Sequence, residues 1–306
     1  MAIDVTKLPA YTEEHRLPLL RNAVVGNRTA KEFNLYTGLK GKTALNLLNT
    51  TVTFGDGSSC GWNEAGKSEL SQRAIEPAVI KVNMSFCDKA LLKTWANYDV
   101  RIAAGQKTLP FEEDFMNGVV DGIKANLEKA MWQGDTASQD ANLKQFDGMI
   151  KILNAATLAG TYTVQSGDSV SKILMETYNL IPSAAYEKGE VVVYVGYDSY
   201  RKYIQELIAN GNLVITTGLN DVSMPTSILI PGTNVRVIPV GGLDNQKVKA
   251  VASYRDNFIY GVDMAGDDEK MDLWYSQDNR EFRLAVEFLA GVQVAFPDMV
   301  AIAKEA

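Results

Sequence analysis

Residues 109–135 read LPFEEDFMNGVVDGIKANLEKAMWQGD. Phe111, Phe115, Val119, Ile123, Leu127 and Met131 recur every four residues. That spacing lays an apolar ridge along one side of an α-helix. Pro110 suits the first helical turn, where its missing N–H costs nothing. Glu112, Glu113 and Asp114 sit at the end that favours negative charge, and Lys124 and Lys129 lie towards the other. Gly134 and Asp135 are stop signals. The spacing predicts a spine helix over about 110–133, roughly 30 Å or more at about 1.5 Å per residue. A four-residue step overshoots a full turn, so the ridge winds slowly and suits packing on a twisted sheet.

The partner for that ridge is 281–296, EFRLAVEFLAGVQVAF. Phe282, Leu284, Val286, Phe288, Ala290, Val292, Val294 and Phe296 occupy alternate positions, with Glu281, Arg283, Glu287 and Gln293 opposite them. This is the period of a strand with one buried face. Its 15 residues from Phe282 to Phe296 reach about 50 Å at about 3.3 Å each, where most strands have about five or six residues. Leu289 and Gly291 predict a bend or bulge near the middle.

Upstream, Asn49–Phe54 is strand-like, GDGSSCGWNEAGKSELSQ follows at 55–72, and Arg73–Phe86 is strand-like again. Pro77 demotes part of the second run to an edge strand. The pattern predicts a hairpin over 45–84 with a long glycine-rich tip. A tip of that length is a functional loop more often than an accident. Trp62 within it favours an arm laid on a neighbouring subunit over a wandering surface loop, because an aromatic there gains from a partner surface. Residues 87–99, with Leu91, Leu92 and Trp95 on one face, predict a short helix.

Between the spine and the closing strand, 166–254 alternates helix and strand. Ser166–Leu180 reads as a helix capped near Ser166 or Asp168, Val191–Val195 as a buried strand, and Asp198–Asn210 as a helix ended by Gly211. Strands are predicted at Leu213–Thr216, Ser227–Ile230, Val235–Val240 and Val248–Ser253. Residues 1–44 predict an extended or partly helical arm, with a docking patch of Leu17, Leu19, Leu20, Val24 and Val25.

Candidate chemistry is sparse. YTGLKGKT at 36–43 lacks the first glycine of a phosphate loop, since Tyr36 stands there. His15 is the single histidine and cannot anchor a multi-histidine metal site. Gly167-Asp168-Ser169 has the look of a hydrolase nucleophile, but no histidine follows to serve as base, and helix capping explains it better. Cys60 and Cys87 have no metal spacing and read as free thiols. No cofactor and no metal are expected. The net charge of −7 offers no basic surface for gripping a duplex, and no apolar run is long enough to span a membrane.

The order of parts, with EDFMNGVVDGIKANLEKAMWQGD, FDGMIKIL at 146–153 and NREFRLAVEFLAGVQVAFPDMVAIAKE at 279–305, resembles tailed-phage major capsid proteins of the Hong-Kong-ninety-seven-type fold. The resemblance implies an α+β architecture. An N-terminal arm (1–44) and an E-loop hairpin (45–84) precede a peripheral domain in two parts, 85–165 and 255–306. The axial α/β domain, 166–254, is inserted between them. It implies a non-enzymatic homo-oligomer of pentamers and hexamers that encloses DNA without sequence-specific binding. Portal and separate scaffold proteins, a possible decoration protein, no membrane, assembly in the host cytoplasm and residence in the virion are expected with it. Inter-subunit contacts are expected at Gly57, Cys60, Trp62 and Lys67 of the hairpin and at Leu219 and Asn220 in the loop TTGLNDVSMP, 216–225. A cellular nanocompartment shell of the encapsulin type is the alternative close in fold. Another phage assembly component, or an enzyme built on the α/β unit, is a more distant one.

Overall fold

The computed structural model describes residues 7–52, 54, 66–87, 111–211, 227–263 and 270–305. The first part of the chain forms helices α1 (Lys7–Glu14), α2 (Arg16–Val25) and α3 (Arg28–Glu32), then strands β1 (Asn34–Tyr36), β2 (Thr43–Val52), β3 (Gly66–Ile75) and β4 (Ala78–Cys87). The spine helix α4 (Phe111–Gln133) and α5 (Met149–Ala155) follow, then β5 (Gly160–Val164), α6 (Val170–Asn179), α7 (Ser183–Lys188), β6 (Val191–Gly196) and α8 (Tyr197–Ala209). The last part holds β7 (Ile228–Leu229), β8 (Arg236–Val240), β9 (Val248–Tyr254), β10 (Phe258–Val262), β11 (Lys270–Ser276), β12 (Glu281–Val294) and β13 (Ala301–Glu305).

β12 is the centre of a five-stranded sheet. Along one side it pairs with β4, from Glu281↔Cys87 to Ala290↔Ala78. Along the other it pairs first with β11 and then with β10, both antiparallel, and β1 lies parallel beyond β10. Phe282, Leu284, Val286, Phe288, Ala290, Val292 and Val294 are all buried. The expected bulge is absent: the register with β4 is unbroken through Leu289↔Val79. Leu289 and Gly291 are buried for a different reason, since a Cβ on Gly291 would lie 2.9 Å from Pro77 Cα. Glycine there lets a second segment of backbone cover the sheet's outer face.

The hairpin differs from the prediction in its second limb. β2 pairs with β3, from Thr43↔Ile75 to Val52↔Gly66, as a separate two-stranded sheet. The chain then turns at Glu76–Pro77, and β4 leaves the hairpin to become an edge of the main sheet. Pro77 carries no N–H to continue a ladder, so the two strands on either side of it belong to different sheets.

On the spine, Met116, Val120, Ile123, Leu127 and Met131 are buried in one core with Phe282, Leu284, Val286 and Phe288. The predicted ridge is right at its C-terminal end, whereas Phe115 and Val119 are half-buried. Each four-residue step advances about 40° beyond a full turn, so over the four steps back from Met131 to Phe115 the ridge turns by about 160° and leaves the face that meets the core. Met116 and Val120 take the central positions instead.

The N-terminal segment is helical and docked. Leu8, Leu19, Leu20, Ala23 and Val24 bury into the same core, while Leu17 faces outward.

The second sheet has six strands in the order β5-β13-β9-β6-β8-β7. It draws in β5 and β13 from outside 166–254, pairing Ala301–Glu305 in parallel with Gly160–Val164. Both strands are short and their partners distant, so no local period announces them. β6 is buried on both faces. Val191, Val193 and Val195 meet the helices α6 and α8, while Val192 and Tyr194 meet the core that contains the spine. That explains its continuous apolar run. α6 starts later than expected, with Ser169 as its N-cap accepting from the Lys172 amide. α8 buries Tyr200, Tyr203 and Leu207, but Ile208 is 59% exposed. The expected helix over 87–99 (apart from Cys87, which ends β4) and the expected strand 213–216 lie outside the described residues.

Candidate assembly interface

The β2–β3 hairpin is anchored at its base. Leu45 and Ile75 join Leu39, Ile259 and Ala295 in a small core of their own. Gln293 Nε2 donates to the Ala74 carbonyl at 2.7 Å, and Arg73 Nη2 donates to Gln293 Oε1 at 3.4 Å. Burial lowers the Arg73 pKa from the ordinary guanidinium value. A two-stranded ribbon is marginal in water by itself, so the limb beyond this base gains most from a surface to lie on.

Of the residues expected at subunit contacts, Gly57, Cys60, Trp62, Leu219 and Asn220 lie outside the described residues. Lys67 sits on β3 opposite Thr51, its side chain outside the description.

A cavity of about 670 Å³ opens between β4 and the spine, along which it runs from Asp114 to Ala130. Ile80, Val82 and Met84 line one wall, and Phe115, Gly118 and Val119 the other. Phe86 meets Phe115 edge to face at 4.7 Å. Among the described residues nothing lies within 4 Å of where a Cβ on Gly118 or Gly122 would stand. Among the described residues β4 pairs with β12. An apolar trough of this size is the kind of surface another chain can occupy.

Asp168 and Ser169 are occupied structurally. Asp168 accepts from Lys172 Nζ at 2.7 Å, from the Tyr162 hydroxyl at 2.7 Å and from the Gln165 amide at 2.8 Å. The Lys172 hydrogen bond, helped by the other two, holds its carboxyl down at about 2. Among the described residues no group of three His, Cys, Asp or Glu converges as for a metal, and no helix is long and apolar enough to cross a membrane.

An interior junction was not signalled by any motif. Glu128 of the spine accepts from the Thr29 amide at 2.9 Å and the Thr29 hydroxyl at 2.6 Å. Trp132 Nε1 donates to Thr29 Oγ1 at 2.8 Å. The 3-10 turn Gly241–Leu243 between β8 and β9 packs on the same side chain, where a Cβ on Gly241 would stand 3.6 Å from Glu128 Cγ. Gln133 Nε2 donates to the Gly242 carbonyl at 2.7 Å. Burial raises the Glu128 pKa, against the opposing pull of these donors and of Arg28.

No family model and no curated protein sequence matches the chain. Solved structures do. A chain of the satellite phage P4 procapsid including size determination (Sid) protein aligns with 98% of this chain and 97% of its own length, at TM-score 0.61 and 12% identity. The capsid of the empty GTA particle aligns with 93% of this chain and 90% of its own, at 0.60 and 9%. The virus-like particle from Pyrococcus furiosus aligns with 95% and 98%, at 0.55 and 10%. At such identities the likeness is one of fold. Spine helix, closing strand, six-stranded sheet and hairpin together make this chain's architecture the phage major capsid protein fold.

Proposed function

We propose that this chain is a major capsid protein, the repeating subunit of an icosahedral shell around the double-stranded DNA of a tailed bacteriophage. The observation that carries the reading is the end-to-end likeness to the P4 procapsid chain, 98% of one against 97% of the other. A likeness of that extent includes the hairpin, which no compact single-subunit function requires. The role is structural rather than enzymatic. Copies associate as pentamers and hexamers, with the hairpin of one laid on its neighbour around Gly57, Cys60, Trp62 and Lys67. The loop holding Leu219 and Asn220 meets its counterparts at the symmetry axes. The apolar trough beside β4 supports this reading, because shell interfaces need large shared apolar surfaces.

In this reading the protein resides in the virion and assembles in the host cytoplasm with a portal and a separate scaffold protein, and a decoration protein is a further candidate partner. The net charge of −7 suits a wall that encloses DNA without adhering to it.

Negative-stain microscopy of the expressed protein, with and without scaffold, is the test. Closed icosahedral shells are expected. A monomer that forms no lattice under any condition refutes the proposal. Replacing residues 57–65 by a short turn is expected to leave a folded subunit that makes no stable shells. A cellular shell of the encapsulin type is the second reading, favoured by the likeness to the Pyrococcus furiosus virus-like particle. An enclosed enzyme in place of DNA distinguishes it.

A further inference from the structure

The β2–β3 hairpin leaves the molecule from a root that is tied on both limbs, each to a different strand of the main sheet. On the incoming limb the Leu39 amide donates to the Val262 carbonyl of β10 at 3.2 Å. On the outgoing limb the Ala74 carbonyl accepts from Gln293 Nε2 of β12 at 2.7 Å. The Val294 amide donates to Gln293 Oε1 at 3.0 Å, so β12 itself orients the side chain that reaches the hairpin.

Beside these ties two glycines make a seat. Gly261 and Gly291 stand opposite each other on β10 and β12. Ile75 and Pro77 rest over them. Ile75 is fully buried there, in the small core of Leu39, Leu45, Ile259 and Ala295. Pro77 fixes its own φ and restricts Glu76 before it, so the turn that ends the outgoing limb is stiff.

The two glycines are not equivalent. A Cβ on Gly261 would stand 2.5 Å from Leu39 Cδ1 and 2.7 Å from Ile75 Cδ1, both ends of side chains. A Cβ on Gly291 would stand 2.9 Å from Pro77 Cα, 3.2 Å from the Glu76 carbonyl oxygen and 3.3 Å from the Pro77 nitrogen, all of them backbone. Side-chain ends can turn to another rotamer. Backbone atoms give way only if the limb moves with them.

From this arrangement we infer that the hairpin is a strut of fixed direction rather than a hinged flap, with Gly291 setting the direction and Gln293 holding it. A ribbon held at one point swings about that point. Held on two neighbouring strands, it swings only by breaking a tie or by lifting Ile75 out of its core. The space left by the missing Cβ of Gly291 fixes how close the outgoing limb lies to the sheet, and so the angle at which the ribbon departs. The inference concerns the single chain and stands whether or not that chain builds a shell. One consequence does rest on the proposed function: an arm aimed before contact gives up little freedom on meeting its neighbour.

The test is double electron–electron resonance between spin labels on the unassembled full chain. One label sits on the hairpin at K67C and the other on the body at D272C or K202C, with C60S and C87S removing the native thiols. Lys67 lies eight residues along β3 from Ile75, about 26 Å at about 3.3 Å each. A Cβ 2.9 Å from Pro77 Cα has to lift that atom by about 0.6 Å to reach ordinary carbon contact. With the Leu39 tie as fulcrum, one strand spacing or about 5 Å away, the tilt is about 7° and the label moves by about 3 Å. The native hairpin is expected to give one narrow distance distribution for each pair. G291A is expected to shift the centre by about 3 Å in at least one pair, and G261A to leave it in place. Q293M, which removes the donor to Ala74 at similar volume, is expected to widen the distribution without moving its centre, and it decides the matter if G291A does not fold. A native distribution as wide as that of Q293M, a centre unmoved by G291A, or equal shifts in G261A and G291A overturn the inference.

Discussion

Glu128 and Arg255 grip opposite ends of the same short helix. The carboxylate receives the Thr29 amide at the N-terminal end of α3, and the guanidinium donates to the Lys31 and Glu32 carbonyls at its C-terminal end. Each charge has the sign the helix dipole favours. A helix this short has no stability of its own, so its conformation is imposed by residues about 100 and 220 positions away in the sequence.

The Glu128 pKa is raised because burial outweighs the donors around it. A carboxyl raised in the folded state contributes stability that is fully present below its unfolded pKa. That contribution is lost as pH rises through the folded value. E128Q is therefore expected to match or exceed the native protein in urea midpoint at pH 7–8 and to lose its advantage as pH falls towards 4. E128A leaves the buried Thr29 amide and hydroxyl without their acceptor and is expected to cost about 2–4 kcal/mol. Urea titrations at several pH values check both, and an E128Q deficit that grows with pH contradicts the sign.

Val286 and Phe115 separate the core from the trough. Val286 is fully buried between β4 and β11, whereas Phe115 is half-buried at the cavity rim. V286D places an unpaired charge in the interior and is expected to remove soluble protein, a loss beyond about 4 kcal/mol. F115D can turn its carboxylate to water, so a folded protein with a lowered melting point is expected. Soluble yield and thermal melts of the two variants decide the matter. Equal loss in both places Phe115 in the core after all.

The residues that carried the fold in the sequence are those whose period repeats over many positions. β12 was legible because seven alternate residues face one core, and the spine because its stop signals and charge bias agree with its ridge. β5 and β13 were not, since five residues each cannot display a period and their pairing spans the chain. Thr29 and Glu128 were invisible for a related reason. A capping interaction is normally read from residues three or four apart, and this one bridges separate elements. The assembly residues of the hairpin tip were singled out by composition alone, through Trp62 and the glycines around it, and remain proposals.

Asp168 offers a local reporter of the six-stranded sheet unit. Its carboxyl is held at about 2, chiefly by Lys172, then by the Gln165 amide and the Tyr162 hydroxyl. A depressed carboxyl contributes stability above its unfolded pKa and loses it as pH falls through the folded value. That window runs here from the ordinary aspartate value of 3.8 down to about 2. K172M is expected to move the Asp168 titration midpoint upward, towards 3.8, as followed by the carboxyl carbon resonance. S169A removes the N-cap of α6 and is expected to cost about 1 kcal/mol without moving that midpoint. A midpoint indifferent to K172M contradicts the assignment of the shift to that lysine.

Glycine substitutions on and beside the spine pull stability and assembly apart. Gly148 is closed in by backbone: a Cβ there would lie 2.5 Å from the Gly134 nitrogen and 2.7 Å from the Trp132 carbonyl oxygen. Backbone atoms cannot rotate away, so G148A is expected to destabilise by about 3 kcal/mol. Gly122 is the opposite case: among the described residues nothing lies within 4 Å of its Cβ position, on the exposed face of α4 beside the trough. G122A raises helix propensity and is expected to stabilise the isolated subunit by about 0.5–1 kcal/mol. If a neighbouring chain occupies the trough, the added methyl intrudes on that contact, and G122A subunits form shells more slowly or less completely than the native protein despite melting higher. Melting curves and light scattering on the same preparations check the pair. A G122A protein that is both more stable and unimpaired in assembly removes the trough from the list of subunit contacts while leaving the fold untouched.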